Sequence, residues 1–369
     1  MSQLFQPTKV GSVEVKNRVF MAPLTRSRAD NDTDTPADIA IEYYAQRAGA
    51  GLIISEATQI SPMGKGYIKT PGIYTDEHVK AWKKITDAVH EKGGKIFLQL
   101  WHVGRISHTS LLPDNKEPFA PSAIQADTQT FTQDGQTQCS KPKAMSIDEI
   151  KHTVQEFKDA ALRAMDAGFD GVEVHGANGY LINQFLETKS NHRTDEYGGD
   201  VKGRSKFLFE VLDAVLSVWP ADKVGLRLSP TGQFNDVRDE DPVDHYMDII
   251  KRLNPLKLAY VHFVEQFPGM EVSNQDLYTL TKLIDAWDGF YIANGDYDYL
   301  RATAAIASGR ADAITFGRKY IANPDLAKRL EIGAPLNPPD EDTFYQGGEK
   351  GYIDYPFLTE EDCDKAVAA

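Results

Sequence analysis

Three side chains able to do chemistry together fall within six residues: His175, Asn178 and Tyr180, at the end of Gly171-Val-Glu-Val-His-Gly-Ala-Asn-Gly-Tyr180. The imidazole and the amide can both aim an N–H at one oxygen, and the phenol has a proton to give. Two donors where negative charge develops, with an acid beside them, suit reduction of a double bond conjugated to a carbonyl. A lone histidine in an α/β loop is more often structural than catalytic, so this reading depends on what the rest of the chain places around it.

The elements that must position these groups are legible as an alternation. Short, β-branched, nearly continuous apolar runs at 19–24, 52–60, 95–101, 171–174, 224–228, 258–264, 290–293 and 313–316 read as strands. Helical patterns separate them at about 38–49, 77–92, 148–167, 203–218, 241–253, 274–286, 297–308 and 324–331. Thr75-Asp-Glu and Ser146-x-x-Glu149 are start signals for the second and third helices. Eight strand–helix units imply an α/β fold, a (β/α)8 TIM barrel; an open doubly wound sheet is the other arrangement the alternation allows. The length of 369 residues suits one such barrel with insertions, a single domain over 1–369. Val10-Gly-Ser-Val-Glu-Val reads as an N-terminal β-hairpin that caps the barrel bottom. A long excursion after strand three, about 103–147, reads as an inserted capping segment with a hairpin of its own near Asp134-Gly135.

In such a barrel the active site is built at the C-terminal strand ends. Those ends offer Pro23 and Thr25, Glu56 and Ala57, Gln99 and Trp101, His175 with Asn178 and Tyr180, Arg227, Gly295, and Gly317 with Arg318. No carboxylate pair, HExxH, nucleophile elbow or P-loop is among them, and no GxGxxG follows a strand. Amide, hydroxyl, guanidinium and aromatic groups can hold a planar heterocycle but cannot move a hydride themselves, so a cofactor must carry it. Glycine turns after strands seven and eight, with Arg318 beside the second, match the place where these barrels hold a phosphate. Flavin mononucleotide fits that pattern.

Composition narrows the rest. Forty basic against 54 acidic side chains give a net charge of −14, which excludes nucleic-acid binding through bulk charge. No export signal and no membrane-spanning run is visible, so a cytoplasmic protein without a membrane partner is expected. Cys139 and Cys363 lie far apart, which excludes a cysteine-held metal or iron–sulfur site, and no metal is expected.

Longer stretches carry a family resemblance. Met21-Ala-Pro-Leu-Thr-Arg26, Gln99-Leu-Trp-His102, His175 through Leu186, Asn191-His-Arg-Thr-Asp-Glu-Tyr-Gly-Gly199, Phe316-Gly-Arg-Lys-Tyr-Ile-Ala-Asn-Pro324 and Gly351-Tyr-Ile-Asp-Tyr-Pro356 resemble the Old Yellow Enzyme family of FMN-dependent ene-reductases. Thr343-Phe-Tyr-Gln-Gly-Gly resembles its bacterial N-ethylmaleimide and nitrate-ester reductase branch. The resemblance implies non-covalent FMN, with NADPH (or NADH) as hydride donor and activated alkenes as substrates, taken in turn in a ping-pong cycle. It implies that Thr25 bonds flavin O4, Gln99 reads the pyrimidine edge, Arg227 lies near N1 and O2, and Pro23, Ala57, Gly295, Gly317 and Arg318 make further flavin contacts. It implies that His175 and Asn178 clamp the substrate carbonyl, that Tyr180 is the proton donor, and that Tyr67, Trp101, Phe267 and Tyr345 line the substrate cage. Asn178 stands where some relatives carry His, and Lys202-Gly-Arg204 replaces a frequent Glu-Asn-Arg. A monomer or weak homodimer is expected. Two other classes remain to be told apart: a barrel lyase or hydrolase, for which no Schiff-base lysine or metal set is found, and a flavin-binding sensor or storage protein, which turnover would exclude.

Overall fold

The structure, a computed structural model, describes residues 2–267 and 269–362. A hairpin of β1 (Thr8–Val10) and β2 (Val13–Val15) comes first. The barrel then begins with β3 (Val19–Met21), α1 (Ile39–Gln46), β4 (Ile53–Gln59), α2 (Asp76–Glu91) and β5 (Ile96–Trp101). The excursion after β5 holds a two-stranded parallel pair, β6 (Phe119–Ala120) with β9 (Lys143–Ala144), and the hairpin β7 (Gln129–Thr132)–β8 (Gly135–Gln138). The barrel resumes with α3 (Ile147–Asp166), β10 (Gly171–Gly176), α4 (Leu181–Leu186), α5 (Val201–Leu216), β11 (Val224–Leu228), α6 (Pro242–Leu253), β12 (Tyr260–Val264), α7 (Asn274–Ala286), β13 (Tyr291–Asn294), α8 (Tyr299–Ala307), β14 (Ala313–Phe316), α9 (Arg318–Ala322) and α10 (Leu326–Ile332). The eight strands close parallel in the order β10-β11-β12-β13-β14-β3-β4-β5, so the expected (β/α)8 barrel forms and the open sheet does not.

The expected caps are present. Thr75 accepts from the His78 N–H at the start of α2, and Ser146 and Glu149 form a reciprocal capping box at α3. The first barrel strand is shorter than the run 19–24. Pairing ends when the Ala22 N–H reaches the Phe316 carbonyl, and Pro23 has no N–H to continue it. Helices α4 and α9, of six and five residues, are too short to show a period and were not expected. Cys139 is buried and free; Cys363 lies outside the described residues.

The barrel interior is layered. At the bottom Phe20, Leu52, Ile54, Phe97, Tyr260, Ile292 and Ala313 form an apolar layer, and Val10, Val13 and Val15 of the first hairpin pack into it. Each of those valines contributes roughly 1.5–3 kcal/mol on burial, so the hairpin is held as a plug. Gly171 and Gly225 make room for the rings: a Cβ on Gly171 would overlap Phe97, and one on Gly225 would overlap Tyr260. Above that layer, each of the barrel strands β5, β10, β11, β12, β13 and β14 places a polar residue inward, and the chemistry begins there.

Candidate active site at the barrel mouth

The inward polar layer is a ring of Gln99, Glu173, Arg227, His262, Asn294 and Thr315, one from each of six strands. Gln99 lies opposite Glu173 in register, and Arg227 opposite both His175 and His262. Gln99 Nε2 donates to Glu173 Oε1 at 2.7 Å, and Glu173 Oε2 meets His262 Nδ1 at 2.8 Å. His262 Nε2 meets the Thr315 hydroxyl at 3.0 Å. Across the ring an Arg227 NH2 group donates to Asn294 Oδ1 at 2.8 Å, while Arg227 Nε is buried with no partner. A buried donor without an acceptor costs roughly 1–3 kcal/mol. An anionic or carbonyl edge laid over the ring would satisfy it.

Above the ring stand the residues that opened the sequence. The His175 ring is 3 % exposed, and its Nδ1 accepts from the Ala177 N–H at 3.3 Å. That assigns the imidazole proton to Nε2, which is left as a donor with no protein acceptor among the described residues. Burial, with Arg227 and His262 nearby, holds the His175 pKa well below its usual value, so the ring is neutral. Its edge meets the Tyr180 ring at 5.1 Å, and Trp101 meets the other side of Tyr180 at 5.0 Å. Tyr67 stacks on Trp101 at 5.8 Å and brings its hydroxyl to 3.2 Å from that of Tyr180. Burial pushes the Tyr180 phenol up to about 12, so at neutral pH it is protonated and able to act as an acid.

Asn178 is held in the left-handed region, φ 61°, by its surroundings. Its N–H donates to Ser229 Oγ at 2.9 Å and its carbonyl accepts from Asn235 Nδ2 at 2.9 Å. Its side-chain Oδ1 is buried without a partner, and its Nδ2 donates to no protein group, so the amide is uncommitted. Below it Asn183 Oδ1 accepts from the Gly179 N–H at 2.8 Å, and Asn183 Nδ2 donates to Glu187 Oε1 at 2.8 Å. Tyr246 donates to the same Glu187 oxygen at 2.7 Å.

Burial pushes the Glu187 carboxyl up to about 8 against those donors. Between the unfolded value of about 4.3 and that folded value, the native state keeps a proton that the unfolded chain has lost. Stability from this group therefore falls as pH rises through that window. Glu187→Gln keeps an acceptor for both donors and removes the titration. In thermal melts it is expected to match the parent near pH 4 and to exceed it above pH 8, by an amount on the order of a few kcal/mol. A variant less stable than the parent at the higher pH would refute this.

The other expected site residues fall as follows. Pro23 and Thr25 are half-buried in the segment leaving β3, where Leu24 approaches Gly317. Ala57 packs in one cluster with Trp101, Tyr67 and Tyr180. It follows a register shift in β4 between Ile54 and Ala57, a bulge at the rim. Glu56, within that bulge, is buried against Tyr44 and the Arg26 N–H rather than in the mouth, and burial pushes it up to about 7. Gly295 follows β13, and Gly317 caps α9, whose first residue, Arg318, is exposed. Phe267 stacks on Phe234 at 5.1 Å, on the loops after β12 and β11. Tyr345 is 61 % exposed, on a loop fastened to the segment after β3. Arg26 donates to the carbonyls of Phe344 and Gly351, and Arg28 to those of Thr343, Gln346 and Gly348. On the opposite rim, Arg105 of the excursion donates to the Asp236 carbonyl at 2.6 Å, and the β7 hairpin bonds Gly66 and Ile68 on either side of Tyr67. Among the described residues no cluster of metal ligands exists, and no helix is long and apolar enough to cross a membrane.

Sequence reasoning missed Glu173, His262 and Thr315, and it placed Asn294 at the end of strand seven without giving it a role. A signal was present: each is the polar residue that interrupts an apolar strand, at the same inward parity as Gln99 and Arg227.

The ring fits a flavin. Arg227 has a buried N–H without a protein partner, and the Gln99 carbonyl oxygen takes no protein donor among the described residues, so the ring can hold the polar edge of a planar heterocycle. The profile of the NADH:flavin oxidoreductase / NADH oxidase family matches residues 3–337. The 12-oxophytodienoate reductase 1 of Oryza sativa subsp. japonica is 44% identical, over 97% of this chain and 94% of its own length. A probable flavin mononucleotide-dependent alkene reductase of Leishmania infantum is also 44% identical, over 96% and 97%. Among solved structures, morphinone reductase is 46% identical with a TM-score of 0.93, covering 98% of this chain and 97% of that one; it has also been solved in complex with tetrahydroNAD. An old yellow enzyme homologue from Zymomonas mobilis superposes with a TM-score of 0.92 at 42% identity, over 96% of this chain and 100% of that one. The chain therefore belongs to the NADH:flavin oxidoreductase / NADH oxidase family, the Old Yellow Enzyme family of ene-reductases, and its cofactor is FMN, with NAD(P)H as hydride donor.

Proposed function

We propose that this protein reduces the activated C=C bond of α,β-unsaturated ketones, aldehydes, imides or nitroalkenes, at the mouth described above, in a ping-pong cycle with NADPH or NADH. The observation that carries the reading is the His175 Nε2–H, a neutral, buried donor without a protein acceptor, in edge contact with a protonated Tyr180.

FMN, when bound, accepts hydride from NAD(P)H and gives it to the substrate's β carbon. The residues of the chain do the remainder. Arg227 and Gln99 hold the pyrimidine edge, and Thr25 bonds the O4 side. His175 Nε2 and the Asn178 amide donate to the substrate's carbonyl oxygen. Because neither donor is spent elsewhere, both can strengthen as charge moves onto that oxygen. Tyr180 then delivers its proton to the α carbon, with the Tyr67 hydroxyl 3.2 Å away as its hydrogen-bond partner. Trp101, Tyr67 and Ala57 exclude water on that side, and Phe267 and Tyr345 line the outer mouth.

The test uses the holoprotein without oxygen. NADPH should bleach the flavin absorbance, and cyclohexenone should restore it. A bleached flavin that no enone reoxidises would refute the reading.

A further inference from the structure

One buried pair in the polar ring is not used by the substrate chemistry. Glu173 and His262 have side chains that are 0 % exposed, 2.8 Å apart, in the middle of a barrel whose other inward layer is apolar. A buried carboxylate placed there is not the most stable filling, because well-packed apolar residues do as well or better. Its hydrogen bonds form an ordered chain. Burial holds the His262 pKa below its usual value, so the ring is neutral; its one proton sits on Nδ1 and is donated to Glu173 Oε2, and Nε2 accepts from the Thr315 hydroxyl at 3.0 Å. The other carboxylate oxygen, Oε1, takes the Gln99 amide group at 2.7 Å.

Two consequences reach the cofactor. First, with Gln99 Nε2 committed downward, the end of Gln99 left free is its carbonyl oxygen, an acceptor and not a donor. The pyrimidine ring of a flavin has one N–H on that edge, N3–H, between two carbonyls. Second, although burial opposes ionisation of Glu173, His262, Arg227 and Gln99 hold its carboxyl below the usual carboxylate range. Its negative charge therefore acts on Arg227, whose Nε has no protein partner and which the reading above assigns to the flavin's pyrimidine edge.

We propose that Glu173, fixed by His262, is a positioning residue for the flavin: it turns the Gln99 carbonyl toward N3–H, and its charge offsets that of Arg227 and so lowers the reduction potential of the bound cofactor. The proposal rests on the FMN site described above. Glu173→Gln separates its two halves. The amide side chain still accepts from Gln99, but the charge is gone and Arg227 is left less compensated. Reduced flavin carries negative charge at N1, so the variant favours reduction.

The experiment is an anaerobic redox titration of FMN bound to the parent and to Glu173→Gln, together with fluorescence titration of both apoproteins with FMN. The variant should bind FMN about as tightly as the parent. Its two-electron reduction equilibrium should shift at least ten-fold toward the reduced form, about 30 mV in potential. A variant that binds FMN with an unchanged potential would overturn the charge role. A second measurement needs no variant: the parent apoprotein is titrated with FMN and with 3-methyl-FMN, which lacks N3–H. The fixed Gln99 carbonyl should make the methylated cofactor bind at least ten-fold more weakly. Equal binding would overturn the orienting role, whether or not the variant folds. A parent protein that binds neither cofactor would instead overturn the FMN site itself.

Discussion

Replacing His175 and Asn178 together by alanine should slow reduction of cyclohexenone by about 10³-fold or more and abolish binding of phenolic ligands, while FMN stays bound. Losing one preorganised donor to a developing oxyanion costs roughly 10²–10³ in rate. The two donors here act on one oxygen, so their losses need not multiply. His175 is the stronger partner, because its proton is fixed on Nε2 by the Ala177 N–H and its ring is kept neutral. A neutral imidazole N–H stabilises charge without having to surrender a proton. The Asn178 amide contributes through a backbone clamped by Ser229 and Asn235. Stopped-flow measurement of flavin reoxidation, with ligand titration of the oxidised protein, checks both effects. A double variant that loses FMN but binds phenols normally would show that these residues serve the cofactor instead.

Tyr180→Phe should separate the two half-reactions. General acid catalysis is worth about 10²–10⁴ in rate, and only the enone step needs an acid. Flavin reoxidation by cyclohexenone should therefore slow by about that range, while reduction by NADPH stays within a few-fold of the parent. The ring itself is retained, so its contacts with Trp101 and His175 survive and the cage keeps its shape. The pH profile of the parent carries a related expectation. The acid form of Tyr180 is lost only as pH rises through about 12, so this group should impose no alkaline limb on the enone step near neutrality. Equal slowing of both half-reactions in the phenylalanine variant would argue against the proton-donor role.

The barrel was legible because each of its strands is a short apolar run and most of its helices carry a face or a cap. Ser146 with Glu149 and Asp134-Gly135 announced a helix start and a hairpin by local chemistry alone. The upper wall of the site was legible for the same reason: His175, Asn178 and Tyr180 crowd into one strand end. The floor was not, because its members are single polar residues scattered from Gln99 to Thr315, and only closure of the barrel brings them together. Glu173 sits two residues before His175 and on the same face of the strand. Its partners became visible only once Gln99 and His262 stood beside it. Asn183 and Glu187 were hidden differently, within and just after a helix of six residues too short to announce itself.

The fastening of the rim by Arg26 and Arg28 bears on the order in which the protein can be completed. Both arginines belong to the first segment synthesised after β3, and they bond carbonyl groups 315 to 325 residues further along. Those partners do not exist until the loop at 343–351 has been made. Closing so long a loop costs entropy that only many other contacts, already formed, can offset. A nascent chain ending before residue 343 would contain all eight barrel strands and still leave two guanidinium groups beside its mouth with only Tyr43 and the Arg26 carbonyl as acceptors. The rim is thus a late event in the life of each molecule, and a chain cut short before that loop would look like a barrel with its rim unfastened.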